Sequence, residues 1–157
     1  MRYDNPLTER LWAGLDAEEL AHIAAVDAER LEYEREGLAE QFRHNLTTPT
    51  YALKKRFAMW ETLAYKMGNH WPPDGYYLID EYVNDLFNRA ETATAIGKLP
   101  HALQAKLNAV LFAIDEQFNR LTVPDGGAEF DRWGQRRPAD VPPALWERRP
   151  INLPWES

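Results

Sequence analysis

Apolar residues recur at helical spacing along most of this chain, in four long segments. In the first segment, residues 16–46, these positions are sparse, and residues 27–36 are mostly charged. The pattern predicts a helix that is only half buried. Thr48 and Pro49 then favour the start of a second helix, with Thr48 as N-cap and Pro49 at the first helical position.

The later segments have wider apolar stripes. Residues 53–67 predict a second helix that ends near Gly68 and Asn69. Asp74 is a candidate N-cap for a third helix, whose broad stripe predicts contact with two neighbours and which ends at Gly97. The fourth helix starts at Pro100, carries the cleanest stripe of the chain and stops before residues 124–127.

No segment shows the alternation of apolar and polar residues that is typical of a half-buried strand. The connections between successive helices are short, which favours neighbours that pack mostly antiparallel. The sequence therefore predicts an all-α fold, an irregular helical bundle of about four main helices that spans residues 1–122.

Residues 123–157 differ from the bundle in composition, because they contain six of the eleven prolines and three of the six tryptophans. Proline disfavours long helices, and exposed tryptophan is costly in water, so we expect an extended tail that packs on something. The tail can pack either on its own bundle or on a partner subunit, and the sequence leaves both alternatives open. Tryptophan and arginine are enriched where interfaces concentrate their energy. The candidate interface residues are Trp133, Arg136, Arg137, Trp146, Arg148, Arg149 and Trp155.

Charge and composition exclude several classes of function. The net charge is -7 and the longest basic run is Lys54-Lys55-Arg56, which disfavours a nucleic-acid partner. There is no cysteine, which removes disulfides and thiolate chemistry. No apolar run reaches the ~20 residues of a membrane span, and the polar start does not resemble a signal peptide. We therefore expect a cytoplasmic protein that does not bind membranes.

Candidate catalytic and metal-binding residues are few. Helical bundles that hold two iron ions use two Glu-x-x-His pairs, and Glu19 with His22 is the only such pair here. Ser157, the last residue, is the only serine, which excludes a serine triad. The acidic pairs 80–81 and 115–116 are predicted to lie on solvated helix faces. We expect no catalytic, cofactor-binding or metal-binding residue in this chain.

Three segments carry a family resemblance. Residues 41–49 (QFRHNLTTP), the opening residues 4–12 and the closing residues 142–153 resemble the gamma subunits of soluble bacterial multicomponent di-iron monooxygenases of the methane and butane type. The resemblance implies an all-helical, non-catalytic accessory subunit that packs on the outside of larger hydroxylase subunits. The di-iron centre and the oxygen chemistry would then belong to another chain of this hetero-oligomer.

An alternative of another class fits the same composition. A small, acidic, cysteine-free helical protein with exposed aromatic residues also suits an immunity or antitoxin protein that binds and neutralises a basic toxin. That hypothesis predicts a concentrated acidic patch, whereas the subunit hypothesis predicts dispersed acids and a large apolar contact surface.

Overall fold

The structure is a computed structural model that describes residues 3–71 and 77–156. Its elements, in chain order, are α1 (Pro6–Ala13), α2 (Ala17–Glu36), a 3₁₀ helix (Glu40–Asn45), α3 (Leu53–Gly68), α4 (Ile79–Ile96), α5 (His101–Arg120), β1 (Thr122–Pro124), α6 (Ala128–Arg132), α7 (Pro143–Trp146) and β2 (Arg148–Pro150). The prediction of an all-α fold is confirmed.

The core lies between α3, α4 and α5. Helix α3 packs against both α4 and α5, and α1 crosses α3 and α5. The predicted stripes face inward, since Phe57, Leu86 and Leu111 are fully buried. The prediction that Asp115 lies on a solvated face is wrong. Its carboxylate accepts hydrogen bonds from Trp60 of α3 and Arg89 of α4, so it joins the three helices at one point.

Helix α1 was not predicted, because the opening residues are mostly polar. Its first turn is bound by the buried carboxylate of Glu61 on α3, which accepts hydrogen bonds from the backbone N–H groups of Leu7 and Thr8. The hydroxyl groups of Tyr3 and Thr8 also donate to Glu61. A carboxylate from a distant helix thus supplies the partners that the first N–H groups of α1 lack within the helix.

The predicted single helix over residues 16–46 is wrong beyond Glu36. Helix α2 begins after a capping box formed by Asp16 and Glu19 and ends at Glu36, where Gly37 terminates it. A separate 3₁₀ helix follows. Glycine costs more conformational entropy in a helix than other residues, and the sparse apolar stripe offers no packing to offset that cost.

The predicted start of the second helix at Thr48 and Pro49 is also wrong, because α3 begins at Leu53. The N–H of Leu53 donates to the Asp27 carboxylate of α2 at 2.9 Å. A tertiary contact therefore replaces the local cap that the sequence offered at Thr48.

The other helix ends agree with the sequence more closely. Helix α3 ends at Gly68 and α4 is followed by Gly97, as predicted, and Pro100 is the N-cap of α5. Asp74, the predicted cap of the third helix, lies outside the described residues. At the start of α4, the side chain of Glu81 accepts a hydrogen bond from the backbone N–H of Leu78.

The tail forms short elements that cross the bundle. Strands β1 and β2 pair antiparallel, with Thr122 opposite Pro150, although no strand was predicted. Three-residue strands are too short to show a period of two, so sequence pattern could not reveal them. Beyond β1, Phe130, Val141 and Trp146 are buried in the same hydrophobic core as the main helices.

Candidate functional site

Two of the three tail tryptophans pack against other side chains of this chain. Trp146 is 6% exposed and stacks on Phe130 at 3.7 Å between ring centroids. Trp155 packs beside Tyr82 of α4, and its indole N–H donates to Glu129 at 2.9 Å. Trp146 is therefore part of the hydrophobic core, and Trp155 is partly buried against it.

Two tail arginines donate to nearby backbone or side-chain oxygens. The guanidinium of Arg148 donates to the hydroxyl and the carbonyl of Thr122 and to the carbonyl of Asn119. Arg149 is half-buried and donates to the carbonyl of Pro150. Arg148 therefore fastens β2 to the end of α5.

The remaining predicted interface residues are exposed. Trp133 is 45% exposed, and its indole N–H donates to Glu129. Arg136 and Arg137 are exposed, and Arg137 donates to the carbonyl of Val141 at 2.7 Å. Contact of any of the seven residues with a partner stays a prediction.

The largest unpacked region of the described chain lies at residues 24–52, which we call the arm. Ile23 precedes it and Leu53 follows it, and no residue between them is buried. The arm comprises most of α2, the 3₁₀ helix and the loop into α3, and the 3₁₀ helix packs mainly against α2. A region this long without a buried side chain contributes little to the core.

Large apolar side chains of the arm face solvent. Tyr33 is 65% exposed, Phe42 51%, Tyr51 39% and Leu38 37%. Exposed aromatic and aliphatic residues on one continuous segment are typical of a contact surface, whereas scattered single residues need no explanation. The arm is the surface most suited to a partner.

Hydrogen bonds hold the loop of the arm against α2. The carboxylate of Glu34 accepts from the backbone N–H groups of Thr50 and Tyr51, and Arg35 donates to the carbonyl of Leu46. Burial raises the pKa of Glu34, but hydrogen bonds from Arg30 and from these N–H groups outweigh burial and lower it. The arm is therefore a defined shape rather than a loose segment.

A second candidate site is a groove of about 630 Å³ between α3 and α4. At one end, the hydroxyl of Tyr77 donates to the carboxylate of Asp85 at 2.5 Å, and Lys66 lies nearby. Burial raises the pKa of Asp85 to about 6, although the Tyr77 hydrogen bond and Lys66 oppose this shift. Ala58, Met59 and Leu63 line the groove as well.

The other end of the groove is cationic. Arg56 is 5% exposed and donates to the amide oxygen of Asn88, which in turn donates to the backbone carbonyl of Arg56. Arg30, Lys55 and Arg56 all lie within 6 Å of the Tyr51 ring centroid, at 5.5, 5.7 and 5.1 Å. Burial, and then the neighbouring Arg30, lower the pKa of Arg56.

Residues 3–71 and 77–156 contain neither a cluster of metal-ligating side chains nor a membrane-spanning helix. No group of three or more His, Cys, Asp or Glu side chains there could hold a metal ion. Glu19 of the only Glu-x-x-His pair caps α2 and pairs with Lys106, while His22 is exposed. Within the same ranges, no helix combines the length and apolar character needed to cross a membrane.

Sequence reasoning identified neither the arm nor the groove as a site. The charged stretch at residues 27–36 indicated weak burial of α2, but the tail tryptophans gave a stronger pattern, and the predicted interface was therefore placed in residues 123–157. The basic run Lys54-Lys55-Arg56 beside Tyr51 was visible, yet its last member is buried and the other two are not. The rotation of α3 in the bundle decides which of these three adjacent cations line the groove, and they are Lys55 and Arg56.

Comparison of the chain with protein-family models, with curated proteins and with solved structures finds no match. The resemblance to monooxygenase gamma subunits therefore stays a prediction.

Proposed function

We propose that this protein is a non-catalytic accessory subunit that attaches to a larger partner through the arm. The observation that carries the proposal is the combination of an arm without any buried residue and the outward-facing side chains of Tyr33, Leu38 and Phe42. In water these side chains cost free energy, and burial against a partner would recover it.

We further propose that the partner is the hydroxylase of a di-iron monooxygenase, whose larger subunits hold the iron. The support for this step is the resemblance of residues 41–49 to the gamma subunits of that family. Residues 41–45 belong to the 3₁₀ helix, and all residues from 41 to 49 except Leu46 and Pro49 are exposed. The segment that carries the resemblance therefore belongs to the proposed contact surface.

The test is a gentle affinity purification of the tagged chain from the organism that encodes it, followed by intact-mass and iron analysis. We expect two larger subunits in equal amounts, with iron following the largest. Recovery of the chain without any partner would contradict the accessory role. Recovery of large partners without iron would contradict the hydroxylase and leave the accessory role standing.

A pair of matched variants assigns the contact to the arm. The double variant Tyr33→Ser and Phe42→Ser removes two exposed rings from the arm, whereas Phe112→Ser removes a ring of α5 that is 56% exposed. We expect the double variant to lose the partner and Phe112→Ser to retain it, because buried aromatic anchors dominate interface energy. Equal retention by both variants would exclude the arm as the contact surface.

The immunity or antitoxin hypothesis is a second candidate, and one observation favours it. Exposed acidic residues follow one another along α2 and into the 3₁₀ helix, namely Glu18, Glu29, Glu32, Glu36 and Glu40. A basic partner would meet favourable charge on this surface. In the same purification, a single small basic partner without iron would support this candidate against the hydroxylase.

A further inference from the structure

We propose that the groove between α3 and α4 binds a small organic anion, whose carboxylate or phosphate group contacts Arg56 and Lys55 and whose apolar part lies over Met59 and Leu63. This proposal goes beyond the accessory role and does not depend on it.

The first argument is the unusual environment of Arg56. Its side chain is 95% removed from solvent, yet in the described part of the chain no carboxylate lies within 4 Å of it. The one side-chain hydrogen bond of its guanidinium goes to a neutral acceptor, the amide oxygen of Asn88. A guanidinium has five N–H donors, and a buried arginine is ordinarily paired with an acid. No fully buried side-chain nitrogen or oxygen of the described residues lacks a hydrogen-bond partner, so the other guanidinium donors of Arg56 are open to the groove, and an anion there would bind them.

The second argument is that further cations are concentrated at the same place. Lys55 and Arg30 line the groove beside Arg56 around the ring of Tyr51, although the protein as a whole is acidic. Arg30 is paired with Glu34 at 2.9 Å, and Glu91 lies at longer range from Arg56. Lys55 belongs to no ion pair among the described residues, so it is available to a ligand.

The third argument concerns the size and lining of the groove. A volume of about 630 Å³ lies within the range typical of small-ligand sites. Ala58, Met59 and Leu63 give the groove an apolar wall, and Asn88 and Asp85 add polar groups along α4. An apolar wall with a few convergent polar groups is the usual arrangement of a small-molecule site. The ligand class that matches is an organic acid or phosphate monoester with an apolar body.

The experiment uses the full-length protein alone, with inorganic phosphate, hexanoate and hexan-1-ol as probes. Binding is followed by the amide NMR shifts of residues near the groove. We expect hexanoate to bind more tightly than either other probe, since only hexanoate offers both a carboxylate and an apolar body. Hexan-1-ol that binds as tightly as hexanoate would overturn the role of the anion.

Two adjacent lysines provide a matched pair of variants. Lys55 lines the groove, whereas Lys54 pairs with Glu9 and does not line it. We expect Lys55→Ala to weaken hexanoate binding by about fivefold or more, because a charge-assisted hydrogen bond is lost, and Lys54→Ala to leave it unchanged. Equal effects of the two variants would overturn the site.

Arg56→Lys supplies an independent check at the buried position. The substitution keeps the charge but removes the fork of guanidinium donors, so we expect weaker hexanoate binding in a protein that still folds. If this variant does not fold, the comparison of Lys55→Ala with Lys54→Ala decides whether the groove binds the anion. The alternative occupant is an acidic side chain of a partner protein. If no probe binds the free chain and Lys55→Ala alone weakens a co-purified complex, the small-ligand proposal is overturned in favour of that occupant.

Discussion

The tail and the arm differ in burial, and the difference runs opposite to their content of regular helix. The tail, residues 123–156, is rich in proline and poor in helix formers, yet Phe130, Val141 and Trp146 are buried in the core. The arm is rich in helix formers and contains 13 of the 20 residues of α2, yet none of its residues is buried. Regular secondary structure and burial are therefore separate properties in this protein. Burial, and not helix content, distinguishes a segment that stabilises the core from a segment whose side chains face solvent.

The physical reason lies in what each region offers the bundle. The tail presents large flat rings that stack on Tyr82 and on one another, and each ring removes a large apolar area from water. The half-buried residues of the arm within α2 are mostly charged, so packing them more closely would desolvate charge for little gain; they are Val26, Asp27, Arg30, Leu31, Glu34 and Arg35. We therefore expect substitutions in the tail and in the arm to change the free energy of unfolding by amounts that differ by several kcal/mol.

The largest expected effect comes from Trp146→Ala in the tail. We expect the free energy of unfolding to fall by about 3 to 5 kcal/mol, because the substitution removes a buried ring and leaves a cavity beside Phe130. Urea unfolding followed by circular dichroism measures the change.

The control for this prediction is Phe112→Ala, which removes a ring that is 56% exposed and should cost within about 0.5 kcal/mol. If Trp146→Ala were as mild as this control, the tail would not belong to the core and the comparison with the arm would fail.

The next effect concerns pH and the buried side of α4. The pKa of Asp85 is raised to about 6 from an ordinary value of 3.8, so the folded protein binds a proton more tightly there than the unfolded chain does. This group therefore lowers stability as pH rises from about 4 to 6. We expect Asp85→Asn to remove that loss. The free energy of unfolding of the variant, relative to that of the wild type, should therefore rise by up to about 3 kcal/mol between pH 4 and pH 7.

Urea midpoints of both proteins across that pH range test this prediction. Because all other titrating groups are shared, the difference between the two curves isolates Asp85. A difference that stays constant with pH would mean that Asp85 is already solvated and ionised in the folded protein.

A smaller effect is expected within the arm. Glu34→Gln removes the charge that accepts hydrogen bonds from Arg30 and from the N–H groups of Thr50 and Tyr51. We expect the amides of Thr50 and Tyr51 to exchange with solvent faster, with a local cost of about 1 to 2 kcal/mol, while amides of α5 keep their protection.

The pH dependence of this contact has the opposite sign from that of Asp85. The pKa of Glu34 is lowered from its ordinary value of 4.5, so its stabilisation is complete above about pH 4.5 and is lost as pH falls through the lower folded value. Hydrogen exchange followed from pH 6 downward measures this loss, with rates expressed as protection factors because the intrinsic exchange rate itself changes with pH. A uniform fall in protection over the whole chain would show that the arm does not open independently.

The smallest effect on stability is expected from the exposed rings of the arm. Tyr33→Ser together with Phe42→Ser should change the free energy of unfolding by no more than about 0.5 kcal/mol per site, since both rings are at least half exposed. Thermal unfolding of the isolated chain measures this. A loss as large as that of Trp146→Ala would show that the arm packs on the bundle in solution.

Much of the helical framework could be predicted from sequence. The stripes of α3, α4 and α5 pointed to their buried faces, and Gly68 and Gly97 marked two helix ends correctly. These features are local, because a helix with a wide apolar stripe has one stable way to face a core. The end of α2 was missed although Gly37 was visible, since propensity alone is a weak guide where no packing supports a helix.

Features that depend on distant residues could not be predicted. Asp27 caps the start of α3, and Glu61 binds the first turn of α1. Asp115 is held by Trp60 and Arg89. All of these partners are far apart in the sequence. The cationic end of the groove was likewise hidden, because Lys54 and Lys55 look alike in the sequence and face different ways in the fold.

The sequence by itself determined a mainly helical fold, a first long helix with a charged middle, and a tail rich in proline and tryptophan, because periodicity and composition act locally. The tertiary structure decided which of these regions is buried. Burial depends on the area that two surfaces can remove from water together, and no single segment contains that information. The tail packs on such a surface of the bundle, and the arm does not.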